Sequence, residues 1–269
     1  MWKNRVILLL VGIALIAILY SLPKVVVDNK PEEITPESAQ QGTGFHQSKA
    51  SPEEHQRVLD FKTQLEKTDN IEKSSIFADS LAEAFRAMNQ WDSAAYYLGR
   101  QAERFETPDN LEKAGEAYFQ AQGFAISQNE IEMLGQQARM FFDKVLVQNP
   151  QDLEVKTKIG LTYIASSNPM QGIIVLREVL EVDPNNEMAL YNMGILSMQS
   201  SQWERAVERF TKLIAVNPEN SRAHFYLGLS YLELDQKQLA KEHLLKVKEL
   251  EKDPEVLANV DSYLEDIEN

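Results

Sequence analysis

The chain contains no cysteine in its 269 residues. Disulfides, thiolate metal sites, cysteine nucleophiles and lipid attachment at cysteine are thereby excluded. Histidine is almost as scarce. His46, His55, His224 and His243 are the four present, and no two stand at the close helical spacing of a metal motif. The 11 glycines nowhere form a phosphate-cradling loop, and neither a nucleophile elbow nor a protein-kinase signature occurs. Carboxylates abound, but pairs such as Glu53-Glu54 and Glu249-Glu251 fall on stretches read as solvated helix faces. They supply solubility before acid–base chemistry. The sequence therefore predicts no enzyme, no cofactor and no metal. Positive charge is also short, with Lys and Arg totalling 27 against 41 Asp and Glu, a net charge of −14. That balance argues against nucleic acid, whose phosphates need Lys and Arg to displace counterions.

Long apolar runs are missing too, with one exception. Val6 to Leu22 is uncharged throughout, and as a helix it spans about 25 Å, the lower limit for a hydrocarbon core. Trp2 and Tyr20 lie near its ends, as interfacial aromatics do. The rival reading is a cleaved signal peptide. Against it, the apolar region is long, and the exit Ala17 to Pro23 lacks a small-x-small site at the right place. Residues 1–22 are accordingly read as a transmembrane signal anchor. Lys3, Arg5 and the terminal amine precede the run, which favours a cytoplasmic N-terminus and everything after Leu22 outside. In a bacterium that is a single-pass protein of the inner membrane with its bulk in the periplasm. Residues 23–50, rich in Pro, Glu, Ser, Gln, Gly and Thr, read as a flexible linker with a root-mean-square reach of about 30 Å.

From residue 51 onward the hydrophobic period is helical throughout. Met188 to Gln199 and Trp203 to Val216 form two short amphipathic helices joined by a polar turn, and Pro218 ends the second. Small Gly194 and Ala206 stand where two helices can approach closely. The pattern recurs 34 residues later, with Gly228, Ala240 and Leu244, and 34 earlier, with Gly160, Gly172, Leu176 and Pro184. A fixed period of this length marks a stacked solenoid. These residues resemble the tetratricopeptide repeat family. The resemblance implies an all-α, right-handed α-solenoid of helix-turn-helix repeats, here preceded by the transmembrane helix.

The solenoid is expected over 51–269. A capped helix begins at Ser51-Pro52-Glu53-Glu54. A degenerate first repeat follows over about 75–107, and Trp91 and Ala94 repeat the spacing of Trp203 and Ala206 in it. The unit over 108–152 carries about eleven extra residues near 120–130. Two longer helices around Gly123 or a protruding loop would absorb them, and a protrusion could itself be a contact site. Regular units occupy 153–186, 187–220 and 221–254, with Pro169 tolerated in the first turn of its helix. Residues 255–269 read as a capping helix, apolar on one face and acidic on the others. His224, in the place of Leu190, reads as a packed core histidine, and His243 as lying on an exposed face.

In the family resembled, the first helix of each unit lines a concave face, with the second, fifth, ninth and twelfth places looking inward. Carried over, these are Glu154, Thr157, Leu161 and Ile164; Met188, Tyr191, Ile195 and Met198; and Arg222, Phe225, Leu229 and Leu232. Asn192 and Arg222 also match two positions of a clamp that grips a terminal carboxylate. Thr157, Leu161 and Tyr226 stand where its other members are needed, so that clamp is read as absent. The set describes an apolar and aromatic groove suited to an extended or helical segment. The competing reading is that some of these residues simply pack on the neighbouring repeat or under the last helix. The expected function is a non-catalytic, membrane-tethered scaffold holding a protein or peptide partner at the extracytoplasmic face. A holding chaperone for exported polypeptides and a structural subunit of an envelope assembly are the alternatives.

Overall fold

Twelve α-helices follow one another through residues 51–268, the part of the chain that this computed structural model describes. The expected transmembrane anchor and linker, residues 1–50, lie outside the described residues. Among the described residues no helix is long and apolar enough to cross a membrane. The helices are α1 (Pro52–Lys67), α2 (Ile71–Ala87), α3 (Trp91–Arg104), α4 (Pro108–Phe124), α5 (Gln128–Gln148) and α6 (Leu153–Ala165). Then come α7 (Pro169–Val182), α8 (Glu187–Gln199), α9 (Trp203–Val216), α10 (Ser221–Glu233), α11 (Lys237–Leu250) and α12 (Pro254–Glu268). Each packs chiefly on its sequence neighbours. The first helices of successive units also touch, α4 with α6 and α8 with α10.

Helix starts repeat with the sequence. Asp152, Asn186 and Asn220, spaced by the repeat, each accept the backbone N–H of the third helical residue (Val155, Ala189 and Ala223) at 2.9–3.0 Å. That bond satisfies one of the donors a helix N-terminus leaves open. At Ser51 and Ser127 a glutamate three residues on returns the bond and completes a capping box.

The turns inside the hairpins repeat as well. Asn89, Ser201 and Asp235 have φ of 56°, 52° and 57°. Each is followed by a glutamine whose N–H reaches back five residues: Gln90 to Phe85 O, Gln202 to Ser197 O, and Gln236 to Tyr231 O, at 2.8–2.9 Å. With the bonds Asn89 N–H to Arg86 O, Ser201 N–H to Met198 O and Asp235 N–H to Leu232 O, this is the Schellman closure. In it a polar residue takes the left-handed position that glycine usually fills. The hairpin of α6 and α7 closes differently, because Pro169 opens α7.

The residues in excess of the repeat near 120–130 lengthen helices. α4 has 17 residues and α5 has 21, against 13 and 14 in the units that follow. Between α4 and α5 only Ala125 to Ser127 are non-helical.

The core is a string of small clusters. Leu190, Phe210, Leu213 and Leu227 knit α8, α9 and α10 together. Leu176, Val179, Ala189 and Met193 join α7 to α8, and Leu244, Val247 and Val260 hold α12 on α11. A ring buried as fully as Phe210 stabilises by roughly 1.5–3 kcal/mol. The recurrent glycines seat these side chains. A Cβ on Gly194 would lie 2.6 Å from the Phe210 ring, and one on Gly115 would lie 2.6 Å from Phe142. The sequence suggests backbone approach at Gly194, whereas here the glycine makes room for the ring of its partner helix.

Candidate functional site

Where first helices of successive units touch, α4 with α6 and α8 with α10, their inward places share a face. In the N-terminal half that face is charged. Asp79, Glu83 and Arg86 of α2 and Asp109, Glu112 and Glu116 of α4 surround a cleft of about 460 Å³. Lys113, Lys158 and Leu98 complete its lining. Lys113 Nζ bridges the two helices, 2.8 Å from Asp79 and 2.9 Å from Asp109. Lys158 of α6 does the same for Glu116 at 2.8 Å and Glu154 at 2.9 Å. Burial alone would pull both ammonium groups down. The hydrogen bonds and charges of their paired carboxylates outweigh it and hold them above the ordinary lysine range. The cleft thus keeps its two lysines charged and engaged, while the exposed carboxylates Glu83 and Glu112 face outward.

The C-terminal half is aromatic. Met188 and Tyr191 of α8 and Arg222 of α10, with Glu187 and Asn220, line a second cleft of about 200 Å³. Tyr191 meets Phe210 and Tyr226 edge-on, with ring centroids 6.4 and 5.9 Å away. Burial, with Tyr226 beside it, pushes the Tyr191 phenol up to about 12.

The structure sorts the expected groove residues into three groups. Met188, Tyr191 and Arg222 come together around the second cleft. Leu161 and Ile164 are half-buried against the α7–α8 core, and Ile195 and Met198 against the α9–α10 core. Phe225 and Leu232 pack under α12, with Phe225 edge-on to Tyr263 at 6.0 Å. Leu229 is half-buried on the same helix, and the Asn192 amide donates to Met188 O at 2.8 Å. Thr157 does not belong to the face: it is 0% exposed, and its hydroxyl donates to Leu153 O at 2.7 Å. A threonine hydroxyl inside a helix can bond the carbonyl four residues before it on the same helix. His243 differs too. It is half-buried, its Nδ1 lies 3.0 Å from that of His224, and its ring stacks on Tyr231.

The charged cleft was not among the sequence expectations, though a signal for it was present. The fifth, ninth and twelfth places of the degenerate unit starting at Ser75 are Asp79, Glu83 and Arg86. The second, fifth and ninth of the unit starting at Pro108 are Asp109, Glu112 and Glu116.

A succession of helical hairpins whose first helices share one face defines an α-solenoid. Residues 191–254 match the Tetratricopeptide repeat family. Solved structures resemble this chain. One is a double mutant of MamA from RS-1, 22% identical with a TM-score of 0.50, covering 68% of this chain and 95% of that one. MamA from Desulfovibrio magneticus RS-1 is 23% identical with a TM-score of 0.49, covering 68% and 96%. YrrB, described as a TPR protein with an unusual peptide-binding site, is 16% identical with a TM-score of 0.45, covering 76% and 99%. No curated protein matches the chain in sequence.

Proposed function

We propose that this chain is a non-catalytic interaction module that holds an extended segment of a partner protein along the face built from α2, α4, α6, α8 and α10. The observation that carries this reading is the position of the two clefts. Both open among the inward places of first helices; the first is lined almost wholly by charged side chains, and the second adds Met188 and Tyr191 to Glu187, Asn220 and Arg222. A segment complementary to that face carries basic side chains against Glu83 and Glu112 and apolar ones against Met188 and Tyr191. Rim charges of this kind set register and encounter rate more than affinity, and the aromatic cleft supplies the anchoring contact.

The module works tethered. The uncharged run Val6 to Leu22 supports a single-pass anchor in the bacterial inner membrane, with Lys3 and Arg5 favouring a cytoplasmic N-terminus and a periplasmic repeat domain. A tether of this reach raises the effective concentration of the face for partners at the membrane. Photo-crosslinking from positions 83 and 191 in native membranes tests the reading. One dominant adduct shared by both positions is expected of a dedicated scaffold. A broad range of exported chains would make it a holding chaperone. Adducts from 126 but from neither cleft would move the contact to the α4–α5 tip and overturn the assignment of the face.

A further inference from the structure

His224 and His243 form a pair that joins α10 to α11, and its protons can be placed by geometry. His224 Nε2 lies 3.1 Å from the Pro218 carbonyl oxygen, which can only accept, so that nitrogen carries a proton. In neutral His224 the Nδ1 is then a bare acceptor. It stands 3.0 Å from His243 Nδ1, so the proton between the rings belongs to His243. His243 can gain a further proton at Nε2 without disturbing this bond. His224 cannot, because its only vacant position is the Nδ1 already accepting. With both rings cationic, two N–H groups face each other across the same 3.0 Å in a site where His224 is 6% exposed.

We propose that the His224–His243 pair is a proton-sensitive latch between α10 and α11, closed while at least one ring is neutral and opened when both are cationic. Its surroundings do not neutralise the second charge. Lys246 of α11 disfavours a cation on His224, and Glu242 of α11 favours one on His243. From α10 the neighbour is the stacked Tyr231, with ring centroids 5.7 Å apart. The turn after α9 offers the Pro218 carbonyl. On α12, which packs against α11, Asp261 is already held by Lys248 at 2.5 Å. Burial first, and for His243 the neighbouring ring second, hold both imidazoles below the usual histidine value of 6.5. The native state therefore binds fewer protons than the unfolded chain. The latch contributes fully above pH 6.5, and its contribution falls as the pH drops through that value. The effect reaches further than the two rings. Phe225, next to His224, is the residue on which Tyr263 of α12 rests, so opening loosens the last three helices together.

Hydrogen–deuterium exchange of the full chain at pH 7.5 and pH 5.0, corrected for intrinsic rates, tests this. Amides of 221–268 are expected to lose protection about tenfold at the lower pH while those of 71–104 keep theirs. His243→Gln retains a donor for His224 but cannot become a cation, so it should abolish most of that difference. Equal loss in both regions, or an undiminished difference in the variant, overturns the latch. Should the variant not fold, the ¹⁵N shifts of the wild-type imidazoles decide. Protection that holds while one ring is neutral and falls as the second becomes cationic supports the latch, and two cationic rings with protection intact refute it.

Discussion

A Cβ added to Gly172 would lie 2.3 Å from the carbonyl oxygen of Gly160. At this crossing α6 and α7 touch backbone to backbone. At Gly228 an added Cβ would meet the Leu244 side chain first, at 3.0 Å, and a side chain can turn aside. Gly172→Ala should therefore cost at least about 2–3 kcal/mol and Gly228→Ala distinctly less. Urea denaturation of the two variants measures the order, and a larger loss at Gly228 would contradict it.

Lys158 is the most enclosed of the cleft cations, its side chain 12% exposed between Glu116 and Glu154. Removing it leaves two carboxylates facing each other. Lys158→Met is expected to lower stability by about 1–2 kcal/mol at low ionic strength and by less in high salt. Melting curves at two salt concentrations check both the size and the trend.

Tyr191 lines a cleft and also supports the core through Phe210 and Tyr226. Tyr191→Ala should cost about 2 kcal/mol, from lost aromatic contacts and lost burial together. Arg222→Ala, at an exposed position, should change stability by less than about 0.5 kcal/mol while weakening any partner seated in the same cleft. Comparing circular dichroism melts with crosslinking yield separates the two effects.

Asn186 caps α8 through a 3.0 Å bond from the Ala189 N–H. Asn186→Ala is expected to cost about 1 kcal/mol, and Asn186→Asp almost nothing. Equal losses for the two would mean that the cap bond contributes little at this junction.

The regular part of this architecture was legible because its packing positions recur. Gly160, Gly194 and Gly228 with Leu176, Phe210 and Leu244 stand in phase, and each glycine meets the large residue of its own hairpin. What lies on the inward face was less legible. Periodicity marks which places are inward and is silent on which of them a neighbour covers. Thr157 is buried with its hydroxyl bonded to its own helix, and Phe225 and Leu232 pack on the cluster that joins α11 and α12. The charged cleft was hidden for another reason. Its residues belong to units whose packing signature is degenerate or interrupted, so the frame starting at Ser75 and Pro108 marks Asp79 and Glu112 as inward less firmly than the regular units mark theirs. His243 escaped because its partner lies 19 residues away on the facing helix, a distance that one helix's period does not reveal.

The substantial contacts of the described helices run between sequence neighbours and between adjacent units. That arrangement sets how the stack would answer a pull. Pulled from its two ends, the stack of described helices has no substantial cross-link between distant units to share the load. It should yield from α12 inward, one hairpin at a time. Each 34-residue unit releases a contour of roughly 110–120 Å. Optical-tweezer traces would then show a staircase, the stack releasing its length in steps.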